Sequence, residues 1–183
     1  FRERGLQFEA VLMGSLKRHR QTFEGIHQGL GLPPLEPLVW PGLNEYDSEA
    51  VIHCIHPEPL AKPNTPELYK HHFGLLRKGL QAWMHAKAQP VGVPLFTDFV
   101  QGIQDALAHV RAQHSGDVLL VSSGGPIATA VGHVLQTPPE VTIEINSDAK
   151  STDNSSGIKS KIIRMRADRL LNSLAPFAFS IDF

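Results

Sequence analysis

Val118-Leu119-Leu120-Val121-Ser122-Ser123-Gly124-Gly125-Pro126-Ile127 is an apolar run that stops on two serines and two glycines and restarts on a proline. Four successive aliphatic residues bounded by turn formers read as a strand buried on both faces. Pro126 suits an early helical position, and the apolar pattern after it predicts a helix to about Leu135. Between the two elements, the glycines let backbone come close to a ligand, while the helix start supplies amide donors and the positive end of a dipole. A strand that passes through such a turn into a helix is the building unit of a parallel α/β sheet.

The same unit occurs near the other end of the chain. Phe8 to Met13 is a short apolar run closed by Gly14 and Ser15, a strand followed by a cap. From Leu16 the apolar spacing becomes helical through Phe23, Ile26 and Leu30, and Gly31 ends it ahead of Pro33-Pro34. Leu38-Val39-Trp40 predicts a second short strand, and Pro41 to Asp47 a loop after it. Ser48 to Cys54 reads as a brief helix, followed by a connector built on Pro57, Pro59 and Pro63.

Thr65-Pro66-Glu67 opens a long helix with Thr as cap and Pro in the first position, and its apolar face runs to about Ala86. Thr97 is placed as the cap of the next helix, whose face is Phe99, Val100, Ile103, Leu107 and Val110. Val141 to Ile145 alternates and reads as a strand. Strands alternating with helices predict a three-layer α/β/α sandwich with a mostly parallel central sheet. Residues 1–146 form this domain. Residues 147–183 read as a polar linker and divergent tail, because Ser147 to Ser160 contains almost nothing to bury.

Composition narrows the partners. The chain has 183 residues, 42% hydrophobic and 19% charged, with a formal charge of −1. A single folded domain follows, with no global attraction to nucleic acid or membrane, so affinity for an anion must be local. No apolar run is long enough to span a bilayer. Cys54 is the one cysteine, so no internal disulfide forms; a reducing, cytoplasmic setting fits. Phe1-Arg2-Glu3-Arg4-Gly5 resembles the last turn of a helix and its Gly stop, so the chain is expected to lack its natural beginning.

One stretch concentrates cations: Ser15-Leu16-Lys17-Arg18-His19-Arg20-Gln21-Thr22. Cations at a helix N-terminus oppose the dipole, at roughly 0.3–1 kcal/mol each, so this first turn is locally poor unless an anion arrives. Guanidinium offers paired donors to phosphate oxygens, which makes Arg18 the candidate phosphate ligand. Ser123 and Gly124 form the facing wall. Glu45, in Leu43-Asn44-Glu45-Tyr46-Asp47, could protonate a departing alkoxide above such a site, although taken alone it is a turn acid or helix cap. A serine-hydrolase reading of Ser123 fails the G-x-S-x-G pattern, since Val121 stands where the first Gly belongs. The spacing of His53, Cys54 and His56 suits no common zinc site. No metal or cofactor is expected.

Taken in order, these segments resemble the histidine phosphatase superfamily, also called phosphoglycerate mutase-like. The family's S-x-L-x-R-A-x-Q-T-A is similar to Ser15-Leu16-Lys17-Arg18-His19-Arg20-Gln21-Thr22-Phe23 without its residue after Ser, which sets Arg18 on the family's Arg and His19 on its Ala. Its L-x-E loop is similar to Leu43-Asn44-Glu45, and its V-S-H-G-G turn to Val121-Ser122-Ser123-Gly124-Gly125. The resemblance covers roughly Phe1 to Ile145. It implies transfer of a phosphoryl group from a small phosphorylated substrate or a phosphoprotein onto a histidine, then to water or another hydroxyl. Arg18 would bind the phosphate, Glu45 would donate the proton, and Gly124 would lie beside the phosphate.

Two departures bear on activity. The family's R-H-G segment, which carries the nucleophilic histidine on the first strand, is not found, and its loss should leave a gap or unpaired edge in the sheet. Ser123 occupies the place of the family's second histidine and cannot carry positive charge. Arg18-His19-Arg20-Gln21-Thr22 superficially resembles R-H-G-Q-T, but Arg20 replaces the Gly needed for close approach, which argues against His19 as the nucleophile. The expectation is a histidine-phosphatase-type enzyme without turnover by itself. The alternative is a catalytically inactive phosphate-binding or interaction module of the same fold.

Overall fold

A computed structural model describes Gly5 and residues 7–31, 35–144 and 161–166. In chain order the elements are β1 (Ala10–Met13), α1 (Lys17–Leu30), β2 (Leu38–Val39), a 3-10 turn at Pro41–Leu43, α2 (Ser48–His53), α3 (Pro66–Met84), α4 (Phe96–Gln113), β3 (Asp117–Ser122), α5 (Gly124–Leu135) and β4 (Lys161–Arg166). The sheet order is β2-β1-β3-β4. β1 runs parallel to both β2 and β3, and β4 closes the far side antiparallel to β3.

Alternation along β1 and β3 divides the core. Leu12, Val118 and Leu120 face a large cluster with Val51 of α2, Leu80 and Trp83 of α3, Ile103 and Leu107 of α4, and Ile127 and Val131 of α5. Val11, Met13, Leu119 and Val121 face Phe23 of α1, with Ile26 partly buried against them. The sheet therefore lies between α1 and the other helices, three layers as expected, and it is hydrophobic on both faces because both are covered. Among the described residues, no helix is long and apolar enough to cross a membrane.

Helix starts and stops follow local chemistry. The Asp47 carboxylate accepts from the Glu49 and Ala50 amides, and Thr65 Oγ1 accepts from the Leu68 amide. Gly31, at φ 61°, ends α1 with its amide on the His27 and Gln28 carbonyls. The 3-10 turn is pressed on α4: a Cβ on Gly42 would lie 2.6 Å from the Gly102 carbonyl oxygen, while Trp40 Nε1 donates to that oxygen at 3.0 Å.

Several expectations are corrected. Residues 139–144, read as a strand from Val141 onward, are helical. Thr142 and Ile143 are buried side by side while Val141 and Glu144 are exposed, so burial does not alternate. Pro138 and Pro139 start the turn, with the Val141 amide on the Pro138 carbonyl and Thr142 Oγ1 on the Pro139 carbonyl. Ile145 itself lies outside the described residues, as does Ser147 to Ser160. Thr97 is not a cap; α4 is capped by Leu95, and Phe96 joins the helix with its ring packed on Trp83. Nor does Ser15 cap α1. Leu16 is the cap residue, and Ser15 is bound to Asn44 instead.

The expected gap in the sheet is also not found among the described strands. β1 pairs directly with β3, from Ala10↔Val118 to Met13↔Val121, so each has a neighbour on both sides. Lys161–Arg166, from the stretch taken as a tail, adds β4 to the same sheet, and Arg164 Nε donates to Asp117 Oδ1 at 3.1 Å.

Candidate active site

Parallel neighbours stand about 4.8 Å apart, so the turns that leave their C-terminal ends must meet. From β1 the chain goes to β2 on one side and later returns as β3 on the other. This change of direction opens a crevice above the β1 and β3 ends, where open α/β sheets bind ligands. The sequence places the Arg18 turn and the Ser123–Gly125 turn over that crevice.

Arg18 reaches across it. Its Nε and Nη2 both donate to Ser123 Oγ, at 3.2 and 3.0 Å. His19 Nε2 lies 2.7 Å from the same oxygen. Ser123 and His19 are fully buried, whereas Arg18 is half-buried and Arg20 exposed. No acidic residue occupies the first turn of α1, so its cationic character is not neutralised locally. Burial, and after it the adjacent Arg18 charge, push the His19 imidazole down from 6.5 to about 4, against a smaller upward pull from the Gly14 backbone. His19 is therefore neutral at pH 7.

Glu45 enters from the third side. The loop that carries it is held by Ser122 Oγ, which donates to the Leu43 carbonyl at 2.6 Å, and by the Gly125 amide, which donates to Glu45 Oε2 at 3.2 Å. Gly125 has to be glycine: a Cβ there would run into the Glu45 carboxylate and the Tyr46 ring. Asn44 ties the loop to the first turn, since its Oδ1 accepts from the Ser15 amide and its Nδ2 donates to Ser15 Oγ, both at 2.7 Å. Gly124 is the first residue of α5 and is buried.

All four residues singled out in the sequence thus belong to one cluster: Arg18 on Ser123, Glu45 on Gly125, and Gly124 between them. The cluster combines a guanidinium, a helix start and a carboxylic acid, the parts needed to hold a phosphoryl group and protonate its leaving oxygen. One difference concerns the bare amides expected to face an anion, since the Gly125 amide is engaged by Glu45.

Sequence reasoning missed His19 and Asn44. The motif around His19 suggests only a nucleophile, and its contact with Ser123 spans 104 positions of chain. A signal was present in the motif, which has Ala where His19 stands. Asn44 left no signal beyond its place in the L-x-E loop.

Other candidates lie elsewhere. His53 and His56 line a cleft of about 520 Å³ between α2, the proline connector and α3, which includes none of the four residues. Burial raises the Cys54 thiol, whose Sγ donates to the Val51 carbonyl. Among the described residues, no group of three or more His, Cys, Asp or Glu is placed to hold a metal.

Comparison with protein families identifies the class. Residues 2–153 match the model of the histidine phosphatase superfamily (branch 1), and the chain belongs to that superfamily. Membership supports a phosphatase or phosphotransferase type of function acting on small phosphorylated substrates. No curated protein matches the chain in sequence.

Proposed function

We propose that this chain holds a phosphoryl group between Arg18 and the Ser123–Gly124 turn, with Glu45 as the proton donor to the leaving alkoxide. The reaction class is phosphomonoester hydrolysis or phosphoryl transfer through a phosphohistidine. The substrate is a small phosphorylated metabolite or a phosphoprotein. The observation that carries this reading is the fork of Arg18 on Ser123 Oγ, which brings the cationic turn against the glycine turn.

His19 does not suit the role of nucleophile, because it is fully buried and its Nε2 is taken by Ser123. The phosphate-accepting histidine is therefore not among the residues of this cluster, and the chain by itself is expected to lack turnover. Ser123 favours a second reading, an inactive phosphate-binding module, since serine cannot supply the positive charge of a histidine. An R-H-G encoded upstream of Phe1 after an apolar strand would favour the enzyme. A cytoplasmic setting fits the single cysteine.

Titration with inorganic phosphate and hydrolysis of an aryl phosphate test the reading together. The wild-type protein should bind phosphate, Arg18→Ala should lose about tenfold or more in affinity, and hydrolysis should stay at background. Binding indifferent to Arg18→Ala would remove the site. Robust hydrolysis would overturn the expectation of no turnover and promote His19 to nucleophile.

A further inference from the structure

Ser123 Oγ is shared by three nitrogens, and its hydrogens can be counted. A hydroxyl has two lone pairs and one proton. The N–H groups of Arg18 Nε and Nη2 use both lone pairs. The remaining contact, 2.7 Å to His19 Nε2, then has the hydroxyl as donor and the ring nitrogen as acceptor. Nε2 therefore bears the lone pair and Nδ1 the ring proton, on the buried side that faces Gly14, where no hydrogen-bond partner meets it. A doubly protonated ring would compete with Arg18 for the same oxygen and place a second cation beside it.

The arrangement has a consequence for Arg18. With Nε and one hydrogen of Nη2 on Ser123, the end of the fork formed by Nη1 and the other Nη2 hydrogen keeps the paired geometry that suits two phosphate oxygens. Without an acceptor at Nε2, the hydroxyl would be free to rotate its proton toward the guanidinium. The residue types correspond. The family motif has Ala where His19 stands and His where Ser123 stands, so the imidazole comes from α1 rather than from the β3–α5 turn. A large residue replaces a small one at one position and a small one replaces a large one at the other, between two fully buried side chains in contact.

We infer that His19 is a positioning residue of the phosphate site: by accepting the Ser123 proton it turns both Ser123 lone pairs onto Arg18 and aims the guanidinium at the anion. This rests on the phosphate-site reading of Arg18. In the wild-type protein at pH 7, long-range proton–nitrogen spectra should show His19 neutral, with Nδ1 protonated and Nε2 bare. Titrated with inorganic phosphate, His19→Ala should bind about tenfold more weakly, as befits a charge-assisted contact that loses its alignment. His19→Gln, which still offers an acceptor, should stay within about threefold of wild type. The exchange His19→Ala with Ser123→His should recover most of the loss, by returning the ring to the other turn. A ring protonated on Nε2, His19→Ala binding as wild type does, or His19→Gln falling as far as His19→Ala would each overturn the inference while leaving the phosphate site intact. Failure of the wild-type protein to bind phosphate would overturn both. Should His19→Ala not fold, the wild-type spectra and His19→Gln decide.

Discussion

The amide of Gly125 donates to Glu45 Oε2 at 3.2 Å, so the acid proposed to serve the leaving group is fastened to the start of the helix beside the proposed phosphate site. This bond sets the distance between two parts that are 80 positions apart in the chain. It depends on a backbone close enough that no side chain fits between.

Gly125→Ala should break that arrangement. Its methyl group would meet the Glu45 carboxylate and the Tyr46 ring, and Tyr46 is in turn held edge-on by Trp83 and Phe99 at centroid distances of 5.7 and 5.8 Å. We expect a loss of roughly 1–3 kcal/mol in urea unfolding, typical of overpacking, together with weaker phosphate binding. An unchanged midpoint would show that the Glu45 loop gives way without cost.

Asn44 should matter more than its partial exposure suggests. It clasps Ser15 through two bonds of 2.7 Å, one to the backbone and one to the hydroxyl. At about 0.5–1.5 kcal/mol for each bond, Asn44→Ala should cost about 1–3 kcal/mol, and Ser15→Ala about half of that. A double-mutant cycle should return a coupling of about 0.5–1 kcal/mol, because only the hydroxyl bond is common to both changes. Zero coupling would mean that the hydroxyl contact contributes nothing.

Gly42→Ala tests how the Glu45 loop is seated on α4. The added Cβ would lie 2.6 Å from the Gly102 carbonyl oxygen and 2.8 Å from its Cα, all backbone, so the helix itself must shift. A loss of roughly 1–3 kcal/mol is expected by thermal or urea unfolding. Gly102→Ala, whose Cβ would be 3.0 Å from the Gly42 Cα, should be milder.

What could be read in the sequence depended on how local its cause was. β3 and α5 were legible because four aliphatic residues, two glycines and a proline state a strand, a turn and a helix within ten positions. The start of α3 at Thr65-Pro66 was legible for the same reason. Arg18, Ser123 and Gly124 could be expected at one edge because strand ends of a parallel sheet deliver their turns there, whereas Glu45 joined them only through the resemblance of Leu43-Asn44-Glu45 to the family's L-x-E loop. Residues 139–144 misled because Val-Thr-Ile-Glu has the alternation of a strand, while two prolines ahead of it and the packing of Thr142 and Ile143 decide for helix. The direct β1–β3 pairing and the His19–Ser123 contact are long-range, and no local pattern encodes them.

The state of His19 also predicts a pH dependence of folding. Its ionisation falls from 6.5 to about 4 in the folded protein, with burial the larger cause and Arg18 the second. Between those values the unfolded chain binds more protons at this residue than the folded one, so stability rises with pH across the window. The contribution is fully present above about pH 6.5 and is lost as the pH falls to about 4, an effect on the order of 3 kcal/mol for a shift of that size. Urea unfolding of the wild-type protein and of His19→Gln, which has no proton to take up, should therefore be compared at pH 7 and pH 4. The wild type should lose more stability than the variant, by about that amount. Glu9 adds a separate change at lower pH: the Gly116 amide, then His114, hold its carboxyl below 4.5, so its contribution is lost only below that value, and Glu9→Gln removes it. If wild type and His19→Gln instead lose stability in parallel between pH 7 and 4, His19 takes up its proton as readily folded as unfolded, and the neutral acceptor assigned to Ser123 would have to be abandoned.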